Sequence, residues 1–165
     1  MSDQNLQILY SRHRQALFTL ALSRTGCRGL AEDAVHEAFV RMCRCDLSRV
    51  EDPDAYVFAA VRNASIDQVR RAHRPAKSDS PARDSIFDDR AVDPQAGTLR
   101  TEEQSLVADA VEALPDEQRE AIVLRIYGGL SFAQIAQVTG EPLPTAATRF
   151  RRGLERLRQK LERFV

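Results

Sequence analysis

The sequence has no tryptophan and only three tyrosines and seven phenylalanines in 165 residues, so any core it forms is mainly aliphatic and of modest size. Cysteine is scarce too. Cys27, Cys43 and Cys45 are odd in number and show no CxxC spacing, which argues against a disulfide framework and fits reduced thiols in a reducing compartment. A metal set drawn from these three and His36 lacks the ligand spacing of a zinc site, so no metal residue is expected. No apolar run is long enough to cross a bilayer and the N-terminus shows no signal-peptide pattern, so a cytoplasmic protein without membrane insertion is expected. His13, His36 and His73 are dispersed with no nucleophile beside them. No catalytic residue and no cofactor are therefore expected.

Net charge is missing as well, with 24 basic and 24 acidic side chains, but the balance is uneven along the chain. Residues 1–74 carry 11 Lys/Arg against 9 Asp/Glu, a net of +2; residues 75–112 carry 4 against 9, a net of −5; residues 113–165 carry 9 against 6, a net of +3. Two basic modules flank an acidic connector, and a nucleic acid meets this local charge rather than the chain total.

What the chain does have is concentrated between Ala113 and Leu161. A helix is expected from Leu114-Pro115 to Gly128-Gly129, opened by proline and closed by glycine. Ser131 and Gln134 are spaced as a capping box for a short helix containing Phe132, Ile135, Ala136 and Val138. Gly140-Glu141-Pro142 breaks that helix, and a longer one follows from about Pro144. Short helix, glycine turn and basic helix together spell a helix-turn-helix, whose second helix enters the major groove. In that helix Ala146, Phe150, Leu154, Leu157 and Leu161 form the expected core stripe. Arg149, Arg152, Arg156 and Lys160 share another face, with Arg151 and Thr148 beside Arg152. Arginine there can grip phosphate or pair with guanine.

The N-terminal half reads as a three-helix bundle over residues 1–74. A first helix from Gln4 to Arg24 places Leu6, Leu9, His13, Leu17 and Leu20 inward, with His13 structural, and stops at Thr25-Gly26. A second, Leu30 to Arg44, buries Ala31, Ala34, Val35, Ala38, Phe39 and Met42 and exposes an acidic face. After a loop from Cys45 to Glu51, a third helix begins with Asp52 as N-cap and Pro53 in its first turn. Tyr56, Ala60, Asn63, Ile66 and Val69 mark one side of it, where a buried Asn63 requires a hydrogen-bond partner. Residues 75–98, rich in proline and aspartate with only Ile86-Phe87 apolar, read as a flexible linker. Helical pattern resumes at Leu106, Val107, Ala110, Val111 and Leu114. The fold class is all-α: two small helical domains, residues 1–74 and 99–165, joined by an acidic linker.

With these residues placed, the chain resembles a bacterial extracytoplasmic-function sigma factor of the sigma-70 family. Ala31 to Phe39 is similar to the family's polymerase-binding helix. Asp52 to Phe58, followed by Arg62 to Arg71, resembles the helix that reads and opens the minus-ten element. Leu114 to Tyr127, Gly129 to Ser131 and Ile135-Ala136 resemble the minus-thirty-five reader. The resemblance implies a promoter-specificity subunit that binds core RNA polymerase and promoter DNA, and that can be held by an anti-sigma factor. It implies polymerase contacts at Asp33, His36, Glu37 and Phe39. Minus-ten contacts fall to Tyr56, Arg62, Asn63, Asp67, Arg70 and Arg71. Minus-thirty-five contacts fall to Thr145, Thr148, Arg149, Arg151, Arg152 and Arg156. Three departures stand out: His36 where glutamine is usual, Pro144 in place of glycine, and Ala147 at a normally basic position. A helix-turn-helix regulator that is not a polymerase subunit is the alternative; it explains residues 113–161 equally but leaves residues 31–71 unaccounted for.

Overall fold

A glycine in the left-handed region closes the first helix: Gly26, at φ 68°, donates its N–H to Leu22 O and lets the chain reverse. The computed structural model describes residues 3–73 and 101–164. It contains α1 (Asp3–Thr25), α2 (Arg28–Cys43), α3 (Pro53–Ala72), α4 (Glu102–Glu112), α5 (Asp116–Ile122), α6 (Phe132–Thr139) and α7 (Leu143–Glu162), with no strand among the described residues. The expected linker and Ile86-Phe87 lie outside the described residues.

Local chemistry accounts for most boundaries. Asp52 caps α3 by accepting from Ala55 N at 3.1 Å, and Pro53 opens its first turn. The loop before it holds a 3-10 turn, Leu47–Arg49. There Asp46 accepts from both the hydroxyl and the amide of Ser48, bonds that hold its carboxyl below the usual range. The expected Ser131–Gln134 capping box is present, and Thr101 with Gln104 forms a second at the start of α4. The helix expected to run unbroken to Gly128 instead widens after Ile122 into a π-helical turn, Val123–Tyr127. It is closed by Gly128 N bonding Val123 O at 3.0 Å. A side chain at Gly128 has no room, because a Cβ there falls 2.6 Å from Leu124 O and 3.2 Å from the Phe58 ring.

α1, α2 and α3 pack on one another as expected, but the buried faces are broader than the sequence stripes. From Ala16 to Ser23 every residue of α1 is buried. On α3 the core face is Ala55, Val57, Phe58, Val61, Ala64 and Ser65. This corrects the expected stripe: Asn63 is exposed and Tyr56 only half-buried. The reason is a second layer. The π turn, α5 and α6 pack against the side of α1 and α3 that a free three-helix bundle leaves in water. Val123, Leu124, Leu130, Ile135, Val138 and Ala146 therefore join one apolar core with the N-terminal helices. Val111, Leu114 and Ile122 form a smaller cluster with Phe150 and Leu157.

The seam between the halves also carries buried charge. Glu120, 4% exposed, accepts from Arg62 Nε at 3.0 Å. Its other oxygen pairs with Arg24 Nε at 2.8 Å, close enough for an ion pair but without hydrogen-bond alignment. Beside it, buried Arg119 donates to the carbonyls of Val111, Glu112, Leu114 and Ser23, so its guanidinium also ties α1 to α5. Gln134 donates to Asp52 at 3.0 Å, linking the caps of α6 and α3. Removing Glu120 leaves Arg24 and Arg62 with no carboxylate partner among the described residues. Glu120→Ala is expected to lower the free energy of urea unfolding by about 3–5 kcal/mol. Replacing Arg24, Arg62 and Glu120 together by Met, Met and Leu is expected to recover most of that loss.

Candidate nucleic-acid interface

The basic helix α7 is held by its inner face. Gly140, at φ 74°, ends α6, and Pro142 with Pro144 starts α7. Phe132 meets Phe150 edge-on with centroids 5.5 Å apart. Arg125 lies over the Phe132 ring at 5.0 Å and donates to Leu130 O at 2.8 Å. These contacts fix α6 against α7. Of the expected core stripe, Ala146 is buried and Phe150, Leu157 and Leu161 are half-buried, but Leu154 is exposed. Gly153 takes its place: a Cβ there would stand only 3.1 Å from Ile122, so the missing side chain is what lets α7 close on α5. A reading by hydrophobicity favours leucine over glycine and misses this.

The outer face presents Arg151, Arg152 and Arg156 to solvent, with Thr145, Thr148 and Arg149 half-buried. Arg151 donates to the Thr148 hydroxyl at 3.3 Å. Arg149 is paired with Glu141 in the turn before α7, so its charge is already matched. Further along, Arg158 bonds Glu155 and Glu162. The hydrogen bond from Arg158, with one from Gln159, holds the Glu155 carboxyl low, and Glu155 in turn raises Arg158. Arg151, Arg152, Arg156 and Lys160 make no ion pair among the described residues and are charges available to an anion.

On α3, Asn63, Arg70 and Arg71 are exposed, and Tyr56, Arg62 and Asp67 are half-buried. Arg62 is committed to Glu120. On α2, Asp33 and His36 are exposed while Glu37 and Phe39 are half-buried. Glu37 does not project freely from that face as its helical position suggests. It accepts from Arg71 at 3.0 Å and Gln68 at 3.1 Å across the α2–α3 interface, and it pairs with Arg41 on its own helix. Arg41 also stands 3.8 Å from Asp67. Desolvation pushes the Glu37 carboxyl up, but the Arg71 hydrogen bond and the Arg41 and Arg71 charges outweigh it and leave it below its usual range. Residues expected to serve polymerase and DNA separately are thus joined in one network.

His36 and Phe39 line a groove of about 840 Å³ between α1 and α2, with Tyr10, Phe18, Glu32 and Val35. Tyr10 meets Phe39 edge-on, with ring centroids 5.0 Å apart. His13 is structural as expected: Nε2 lies 2.6 Å from Asp54 and its ring packs on Phe58. Among the described residues no group of acidic, histidine or cysteine side chains could hold a metal, and no helix is long and apolar enough to cross a membrane. Sequence reasoning missed Arg24, Arg119 and Glu120. Their one signal is an Arg-Glu pair directly before the apolar run Ala121 to Leu124.

Residues 9–75 match the family Sigma-70 region 2, and residues 104–157 match Sigma-70, region 4. The RNA polymerase sigma-H factor of Pseudomonas aeruginosa is 31% identical across 80% of this chain and 73% of its own length. The chain belongs to the sigma-70 family of RNA polymerase sigma factors. Within it the extracytoplasmic-function group is the match. The ECF RNA polymerase sigma-E factor of Escherichia coli K12 is 29% identical across 98% of this chain and 87% of its own. The fold is shared with the sigma factor RpoE of Bartonella quintana, solved in complex with the anti-sigma factor NepR. That likeness has a TM-score of 0.69 at 23% identity and covers 96% of this chain and 95% of that one. This sigma factor directs RNA polymerase to promoters and acts at transcription initiation.

The Glu37 network sets a pH dependence. A carboxyl whose pKa is depressed by folding stabilises the fold at pH values above its unfolded pKa, and that contribution is lost as pH falls through the folded pKa. Glu37→Gln is therefore expected to lower the urea midpoint at pH 7 and to converge with the parent chain in acid, once the pH has fallen below the depressed pKa of the folded state.

Proposed function

We propose that this sigma factor divides its work along the two matched segments, with residues 1–74 and 99–165 as its functional domains and residues 75–98 as the connection. In this reading α7 reads the minus-thirty-five element: Arg152, Arg151 and Thr148 reach base edges, and Arg156 anchors phosphate. Arg149, already paired with Glu141, gives phosphate a weaker hold than its neighbours. The minus-ten element falls to α3, where exposed Asn63, Arg70 and Arg71, with Tyr56 and Asp67 beside them, face the unpaired strand. Arg62 joins them only by exchanging Glu120 for nucleic acid. Asp33, His36 and Phe39, with the groove between α1 and α2, take core RNA polymerase. An anti-sigma factor is a further expected partner, a reading supported by the NepR complex of the related fold. The protein acts without catalysing a reaction itself, in the cytoplasm where the polymerase works.

One observation carries this proposal: α7 is clamped along one side by Phe132, Ile122 and Gly153 contacts while its opposite side holds arginines without carboxylate partners among the described residues. Retention of the full chain on bacterial core polymerase, followed by promoter-directed transcription in vitro, tests it. Asp33→Lys is expected to weaken retention while leaving the helical circular dichroism unchanged, since Asp33 is exposed. Undiminished retention would remove this face from the interface. Arg152→Ala is expected to cost about 1–3 kcal/mol on the preferred duplex and to relax preference at one position. Arg156→Ala is expected to weaken specific and scrambled duplexes alike and to reduce the salt slope by about one. Fluorescence anisotropy of the assembled holoenzyme across several salt concentrations separates the two.

A further inference from the structure

The first turn and a half of α7 carries no charge. Leu143, Pro144, Thr145, Ala146, Ala147 and Thr148 precede its first cation, Arg149, and Arg149 is drawn back to Glu141. Leu143 itself is 47% exposed and belongs to neither apolar cluster of the fold. Ala147 follows it by four residues and Arg151 by four more, so the three lie along one line of the helix. A recognition helix meets base edges with its N-terminal residues. At that end this chain offers no arginine or lysine for guanine and no asparagine or glutamine for adenine. It offers a leucine side chain, an alanine methyl and two threonine hydroxyls. The one apolar group on the floor of the major groove is the thymine 5-methyl.

We propose that Leu143, with the Ala147 methyl beside it, makes the tip of α7 a thymine reader that buries the 5-methyl group of one or two bases in the upstream promoter element. The inference rests on α7 being the duplex-reading helix and adds the base class read at its tip. Leu143 is left in water by the protein's own fold, and DNA docking supplies the cover it lacks. Arg151, one turn further on the same line, then sets the position of the next contact.

Uracil is thymine without this methyl, and it tests the proposal directly. Full chain assembled with bacterial core polymerase is used to select duplexes from a library randomised across the upstream element. The preferred duplex is then synthesised with deoxyuridine replacing thymine at one position at a time. At one or two positions the replacement is expected to weaken binding about fourfold each, the value of one buried methyl. In Leu143→Ala, whose helical content is expected to match the parent, the thymine and deoxyuridine duplexes are expected to bind within about twofold of each other. Equal binding of the two duplexes by the unmodified chain would overturn the proposal, as would a thymine preference that survives Leu143→Ala. A holoenzyme that enriches no sequence at all would instead sink the reading of α7 as duplex reader, and this inference with it.

Discussion

A carboxylate withdrawn from water has to be paired, and in this protein that requirement sits where the two halves of the chain meet. Glu120 reaches from α5 to Arg24 on α1 and Arg62 on α3, so one buried charge spans three helices from opposite halves of the sequence. Hydrophobic contact around it supplies most of the attraction, through Val123, Leu124 and Ile135 packed with the N-terminal bundle. Apolar contact alone tolerates sliding, because it is not directional. A carboxylate with fixed partners does not. The ion pairs, the Arg119 bonds to Ser23 O and the Gln134–Asp52 bond therefore give the seam its register.

The seam also sets what each half can show to a partner. It takes up Arg62 and turns part of α3 inward, yet it leaves the outer side of α7 untouched. α7 itself is defined by contrast between its faces. Gly153 and Ala146 allow close approach to the scaffold, and Phe150 against Phe132 fixes the helix about its axis. Arg152 and Arg156 are then left outside with no carboxylate partner among the described residues, while Arg149 and Arg158 are already matched. Of the six arginines and lysines on α7, two are thus already taken, and the ion-pair map rather than the sequence says which.

Across α2 and α3, Glu37, Arg41, Asp67, Gln68 and Arg71 share bonds. Glu37, which the sequence resemblance assigned to polymerase, and Asp67 and Arg71, proposed for DNA on α3, therefore sit in one bonded network. Arg71 and Glu37 are each other's partner, so a ligand that took either one would take that partner from the other. Such sharing ties two faces of a small bundle together through side chains alone.

Much of this was legible in the residues alone. Asp52-Pro53, Ser131 with Gln134, Gly26 and Gly140 fix helix ends through bonds to neighbours a few positions away, and such local chemistry is written in order along the chain. The all-α class, the helix-turn-helix and the structural role of His13 follow from the same local logic and from helical periodicity. The buried side of α3, the exposure of Asn63 and Leu154, the burial of Gly153 and the pairing of Glu120 do not. Each depends on which other helix lies alongside, and periodicity reports only that a face is apolar, not how many neighbours cover the helix. Tertiary packing decided these because burial and ion pairing are properties of two surfaces brought together, and a sequence presents only one of them at a time.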